Sequence, residues 1–284
     1  MYPPVVTKDP AAVAAEVQSI YLTIFPCGDP AFVPRVFHGT EDCFAGRFHD
    51  YLPIDALYHD LEHTMQGTLC MARLLRGWHL SGNPPQLTRE IVELGVIAIL
   101  LHDTGYLKKR SDTEGTGAKY TITHVKRSAE FAAELLKEKG FTPAQIQSVR
   151  NMIQCTGLDT SLAGIPFDND LERMVGCALG TADLLGQMAA DDYVEKLPLL
   201  YREFEEAARH ANGAKHFIGL YSSAEDLMCK TPGFWDKFVQ TKLTRDFGGV
   251  YRFLNHPYPS GPNWYLDRIE ANIERLRKLC GQAS

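Results

Sequence analysis

No apolar run in the 284-residue sequence is long enough to cross a bilayer; the longest strongly apolar stretch is Val96–Leu101. A cationic surplus is also missing. Lysine and arginine number 29 against 35 aspartates and glutamates, and this formal charge of −6 argues against wrapping a nucleic-acid polymer by bulk electrostatics. The seven cysteines (27, 43, 70, 155, 177, 229 and 280) contain no C-x-x-C pair. An odd, scattered set fits neither a disulfide framework nor a zinc ribbon, so buried thiols in a reducing compartment are expected. The opening residues, MYPPVVTKDPAAVAAEVQS, carry prolines and acids where a secretory signal would place a basic and then an apolar run. The expected setting is therefore cytoplasmic, with no membrane partner.

What is present suffices for a sizeable core: 45% hydrophobic and 23% charged residues is the balance of an ordinary globular chain. By length, one large domain or two small ones are open. There is no convincing strand alternation and no internal repeat, whereas helix signals recur. An amphipathic stretch spans about Pro10 to Phe25, and residues 26–54, rich in Pro, Gly, Asp and His, read as loop with at most short helical turns. Asp55 can cap a helix from Ala56 to about Arg76, with Leu57, Leu61, Met65, Leu69, Ala72 and Leu75 as its stripe. Thr88 can cap the next, Arg89 to about Asp103, whose centre is apolar all round and so belongs in the core. Further helices are expected from Thr123 to Gly140, Pro143 to about Gly157, and Asn169 or Asp170 to Gln187. Others should cover Leu197–His210, Phe234–Leu243 and Trp264–Leu279, the last with Leu266, Ile269, Ile273 and Leu276 on one face. The expectation is one all-α domain over residues 1–284.

The informative positions are those where ionisable residues interrupt apolar helices. His102-Asp103 ends the run Ile97–Leu101, and a buried carboxylate at a helix C-terminus is both desolvated and faced by the negative end of the helix dipole. A divalent cation removes both penalties. His59 and His63, four apart, would project from one helical face away from the Leu57–Leu61–Met65 stripe. Asp183 lies inside another apolar helix, where Gly176 and Gly180 on its face would let a neighbouring helix approach closely. His124 opens a helix and could point into a cleft. Each has an ordinary reading when taken alone: a helix cap, a solvated pair, a hydrogen-bonded core acid, a first-turn surface residue.

Together, His63, then His102-Asp103, then Asp183 resemble the H…HD…D signature of the HD-domain metal-dependent phosphohydrolases, an all-helical superfamily. The closer resemblance is to the catalytic domain of cyclic-nucleotide phosphodiesterases. Tyr58-His59-Asp60-Leu61-Glu62-His63 is similar to that family's Y-H-N-x-x-H, Ile153-Gln154-Cys155-Thr156 to its I-L-A-T, and Thr181-Ala182-Asp183-Leu184 to its A-A-D-hydrophobic. Fainter similarities lie in Leu200–Phe204 and Lys230–Phe234, so the resemblance covers about residues 51–245, with the first and last helices packed on that core. It implies His63, His102, Asp103 and Asp183 as ligands of one divalent metal, with Asp103 bridging to a second held mostly by waters. It also implies His59 as general acid and His124 as a ligand for a second metal or a phosphate oxygen. Three positions depart from the family: Tyr106 stands where it has a histidine, Thr231-Pro232 where a glutamine grips a purine, and no histidine lies near Gln154–Thr156.

Two imidazoles and two carboxylates suit zinc, iron, manganese, nickel, cobalt or magnesium. Such a site lowers the pKa of a bound water and polarises phosphoryl oxygens, so hydrolysis then needs only a proton for the leaving oxygen. Six cations between Lys108 and Arg127 (108, 109, 110, 119, 126 and 127) face Asp112 and Glu114, which marks Lys108, Lys109 and Arg127 as candidates for a phosphate, under a Gly115-Thr116-Gly117 flap. Phe234 fits the position of an aromatic clamp. The expected activity is that of a metal-dependent phosphodiesterase on a small, nucleotide-like phosphate ester. A di-iron oxygenase of the same superfamily and a non-catalytic nucleotide-binding protein are the alternatives.

Overall fold

The structure, a computed structural model, describes residue 2, residues 4–210 and residues 220–281. It is an all-α bundle; among the described residues the one extended pairing is an antiparallel bridge between Tyr51 and Lys109. In chain order the α-helices are α1 (Pro10–Ile24), α2 (Phe32–Phe44), α3 (Leu61–Ser81), α4 (Arg89–Leu101), α5 (His124–Glu138), α6 (Pro143–Gln154), α7 (Asp170–Met188), α8 (Tyr193–His210), α9 (Ala224–Phe234) and α10 (Trp264–Leu279). Most begin where a short polar side chain accepts an otherwise unpaired N–H. Thr88 caps α4, Asn169 caps α7 and Asn263 caps α10, and Thr142 with Gln145 forms a reciprocal capping box on α6.

The centre of the bundle is the crossing of α3 and α7, with α4 against both, and its core includes Met65, Leu69, Met71, Ile99, Leu100, Leu179 and Leu185. Gly186 sets how close the crossing is. A Cβ there would lie 2.7 Å from the Gln66 carbonyl oxygen and 2.8 Å from the Gly67 nitrogen, so any side chain would push the two backbones apart. At Gly180 a Cβ would meet the Cys155 carbonyl oxygen at 2.6 Å, so the close helix approach expected on this face of α7 is made by the end of α6.

Several boundaries differ from expectation. Residues 26–54 include α2, whose Phe32, Val33, Phe37, Cys43 and Phe44 are buried; Pro34 sits in the first turn, where no N–H bond is lost. The helix expected at Ala56 starts at Leu61, because Asp60 rather than Asp55 accepts the His63 N–H, at 2.8 Å. Asp55 instead pairs with Lys108 at 3.0 Å, and Leu57, assigned to the stripe, is 51% exposed. The helix placed at Phe234–Leu243 begins ten residues earlier as α9 and continues in two π-helical turns, Trp235–Val239 and Lys242–Asp246. The thiols are not all free: Cys229 of α9 is disulfide-bonded to Cys280 just beyond α10. Sequence spacing could not show this, because the partners are 51 residues apart and meet only when α10 packs on α9. α10 closes the core with Ile269, Ile273 and Leu276 fully buried, and the Asn272 amide donates to the carbonyls of Met188 and Ala190, both at 2.9 Å.

Gly186→Ala should destabilise the protein by about 1–3 kcal/mol, since the added carbon meets backbone rather than a flexible side chain. Thermal unfolding and metal content of the purified variant check this together: both fall if the α3–α7 spacing is what holds His63 opposite Asp183.

Candidate metal centre and its cavity

Three helices bring four side chains to one point. His63 stands in the first turn of α3, His102 and Asp103 follow the last residue of α4, and Asp183 lies within α7. His63 Nε2 is 3.1 Å from Asp103 Oδ2 and 3.2 Å from Asp183 Oδ1; His102 Nε2 is 3.2 Å and 3.4 Å from the same two oxygens. A metal with ligands at about 2.1 Å has polyhedron edges of about 3.0 Å if octahedral and about 3.4 Å if tetrahedral, and the four contacts fall in that interval. The His102 Nδ1 hydrogen is donated to the Ile99 carbonyl at 2.7 Å, which turns a bare Nε2 toward the carboxylates, as a metal-ligating imidazole requires. Despite the short separations, His102 Nε2 and Asp103 Oδ2 are buried without a hydrogen-bond partner. Orphaned buried acceptors facing one another are costly, and a divalent cation is the group that satisfies them. The residues present therefore fit a metal ion.

Electrostatics agree. Burial opposes charge on every one of these groups, yet the two carboxylates push His63 up to about 9 and His102 well above the usual imidazole value. Against the same burial, the imidazoles hold Asp103 and Asp183 well below the ordinary carboxylate range. Without metal, protons on the imidazoles offset the two acids.

The centre opens into a cavity of about 370 Å³ between α5, α7, α8 and α9. His59 lines it but precedes α3, so the expected i, i+4 pair on one helix does not exist; the His59 and His63 rings still lie 5.3 Å apart because the turn folds back. Glu203 of α8, which the sequence reading did not single out as functional, fixes His59. Its Oε2 accepts from His59 Nδ1 at 2.5 Å, and its Oε1 accepts the Tyr58 N–H at 2.7 Å and the His59 N–H at 3.4 Å. Burial would raise the Glu203 pKa, but His59 and these N–H donors lower it, so the buried acid stays ionised and leaves Nε2 as the imidazole's free nitrogen. The available signal was position: Glu203 borders the Leu197–Leu200–Phe204 stripe, where a solvated acid is not expected.

Tyr106 is stacked between His59, at 4.5 Å, and His124, at 4.8 Å. His124 donates from Nδ1 to the Thr121 carbonyl at 2.6 Å, and its Nε2 lies 3.8 Å from Asp103 Oδ1. Burial pushes its pKa below the usual value, so it is neutral near pH 7. Gln187 steadies Asp183: its amide donates to the Asp183 carbonyl and carboxylate, while its own oxygen accepts the Tyr58 hydroxyl. Phe234 lines the cavity.

The cationic candidates do not. Lys108 is buried, pairs with Asp55 and donates to the Gly115 carbonyl. Lys109 lies over the Tyr51 ring, and Arg127 donates to the carbonyls of Gly105 and Leu107 at 2.7 and 2.8 Å while stacking on Tyr120. None lines the cavity, because these charges are spent closing residues 104–121 onto the bundle. The glycine tip is tied down as well: the Thr116 N–H and hydroxyl donate to Glu206, and the Gly117 N–H to Asp55.

Residues 110–247 match the Npun_R2479-like family, a span that contains His124, Asp183 and Glu203 but not His63, His102 or Asp103. No curated protein matches the chain. The fold is similar to that of the phosphodiesterase domain of the RhoPDE fusion protein from the choanoflagellate Salpingoeca rosetta. The TM-score is 0.60 at 14% identity, over 96% of this chain and 90% of that one. At that identity the likeness speaks for the fold: the chain has a phosphodiesterase-like all-α bundle.

Two outcomes follow from the geometry. In metal-free protein, the raised His63 contributes stability that is complete below its ordinary pKa of about 6.5 and is lost as pH rises through about 9. The melting temperature after EDTA treatment should therefore fall between pH 6.5 and 9.5, and that of metal-loaded protein should fall less. Glu203→Gln, which keeps the shape but removes the charge that holds Nδ1–H, should lower kcat about tenfold or more with metal content unchanged.

Proposed function

We propose that the chain is a metal-dependent phosphodiesterase that hydrolyses a small phosphate ester in the cavity beside His63, His102, Asp103 and Asp183. The observation that carries this reading is the adjacency of two units: a four-ligand cluster at metal-polyhedron spacing, and an imidazole oriented by an ionised buried carboxylate. The four ligands would hold one divalent cation, with Asp103 Oδ1 and His124 Nε2 facing the place of a second. A cation held there would lower the pKa of bound water toward neutrality and draw charge from the phosphoryl oxygens.

The remaining work falls to the chain's own groups. Water adds to phosphorus as the ester P–O bond opposite it breaks. The departing oxygen takes a proton from His59 Nε2, and the proton lost by the water passes to solvent. Glu203 keeps the His59 ring oriented through Nδ1, and Tyr106 holds it from the side against His124. No covalent enzyme intermediate is needed. On this reading residues 1–284 form one domain, with a phosphate-containing small molecule as partner.

The purified protein should contain divalent metal and hydrolyse bis-p-nitrophenyl phosphate, EDTA should abolish turnover, and re-addition of a divalent cation should restore it. Asp103→Ala should lose metal and at least about a thousandfold in kcat/KM. Protein that is free of metal and equally active in EDTA would refute the proposal.

A further inference from the structure

Beyond the metal end, the charges around the cavity do not balance. Asp103 and Asp183 face His63 and His102, and Glu203 faces His59. Asp159, exposed at the rim, is in no ion pair among the described residues, and no lysine or arginine among them lines the cavity. Lys242 attracts Asp159 from outside the lining, with its own ammonium on the carbonyls of Gly157 and Leu158 at 3.1 and 2.8 Å. Two aromatic rings line the same space. Phe234 stacks on Phe238 at 5.1 Å, and Tyr193 stacks on no other ring among the described residues. Tyr193 is only 5% exposed, and its hydroxyl has no hydrogen-bond partner among those residues. A ring face is the negative side of the aromatic quadrupole and attracts a cation, as a carboxylate and a phenol oxygen also do.

We propose that the cavity takes a phosphate diester bearing an alkylammonium group, such as a choline ester, whose positive nitrogen is met by Asp159, Phe234 and Tyr193; the inference rests on the phosphodiesterase reading. A second anionic group on the ester would meet the Asp159 carboxylate and no lining cation. A neutral group of the same shape would gain the contacts but not the attraction. An alkylammonium gains both, and the carbon shell of a quaternary nitrogen also packs against Leu197 and Leu200, which line the same cavity. The diester's own single negative charge stays at the metal end, so the two ends of such a substrate match the two ends of the cavity.

Two esters of one shape test this. p-Nitrophenylphosphorylcholine and p-nitrophenyl 3,3-dimethylbutyl phosphate share a leaving group and differ in a quaternary nitrogen against a carbon. With metal-loaded protein the choline ester should be favoured about fivefold or more in kcat/KM, chiefly through KM. Phosphorylcholine should also bind more tightly than 3,3-dimethylbutyl phosphate in calorimetry, by a similar factor and without turnover. Equal or weaker kcat/KM for the choline ester, or equal binding, overturns the inference and leaves the phosphodiesterase reading intact. No hydrolysis of either ester or of bis-p-nitrophenyl phosphate by loaded protein overturns that reading itself. Asp159→Asn and Phe234→Ala should each narrow the preference about threefold with metal content unchanged. An unchanged preference in both variants, folded and metal-loaded, overturns the placing of the cation on this wall. Glycerophosphocholine in solution and phosphatidylcholine in vesicles share the chemistry. Hydrolysis of the first and not the second is expected, since the phosphorus must reach Asp103, which is 1% exposed; the reverse overturns a free diester in favour of a lipid headgroup.

Discussion

Two carboxylates buried in an apolar bundle are the constraint around which the rest is arranged. Asp103 and Asp183 are each at most 9% exposed and face two imidazoles across a gap of metal-ligand size. Solvent reaches them only through the cavity, and without metal the imidazoles offset them by holding protons. The close α3–α7 crossing at Gly186, the apolar run that drives α4 inward and the Asp60 cap that fixes the start of α3 all end at this cluster. Each is unremarkable as local structure. Their joint effect is to fix the directions of the four side chains in advance, so a cation bound there would need little rearrangement.

Around that centre the chain spends its charges locally. Glu203 is used on His59, Glu206 on Thr116, Asp55 on Lys108 and Gly117, and Lys242 on the carbonyls of Gly157 and Leu158 beside the cavity. Buried charges with such specific partners position backbone as much as they stabilise it. The cluster of cations from Lys108 is the plainest case: its sequence suggests a phosphate-binding strip, and its structure ties down a segment whose own regular structure is two short 3-10 turns, Thr104–Tyr106 and Gly117–Tyr120.

The convergence of His63, His102, Asp103 and Asp183 was legible in the sequence because its signal is thermodynamic. An acid inside an otherwise unbroken apolar run, as at Ile97–Asp103 or Gly176–Leu185, calls for a partner wherever the chain goes. The all-α architecture was legible through period and caps, and α10 was placed to the residue. What failed depended on tertiary context. The start of α3 turned on a choice between Asp55 and Asp60, both good caps, which Lys108 and Gly117 decide from afar. α2 was hidden by Pro34 and Gly39, whose breaking tendency is outweighed by the burial of Phe32, Phe37 and Phe44. Glu203 and Gln187 act through partners more than a hundred residues away, and Gln187 also through its own helix, so no local pattern announces them.

The cross-link between Cys229 and Cys280 joins the pocket to the chain's far end. Leu227, Thr231 and Phe234 belong to the same helix as Cys229, while Cys280 follows a helix fastened to the bundle by Asn272 and three buried aliphatic residues. That side of the pocket is thus a buttressed panel, anchored from behind by the terminal helix rather than hung on the preceding loop. Trimming the tail back past Cys280 would loosen the panel while leaving the helices that carry His63, His102, Asp103 and Asp183 in place, and the pocket would lose its form before the bundle did.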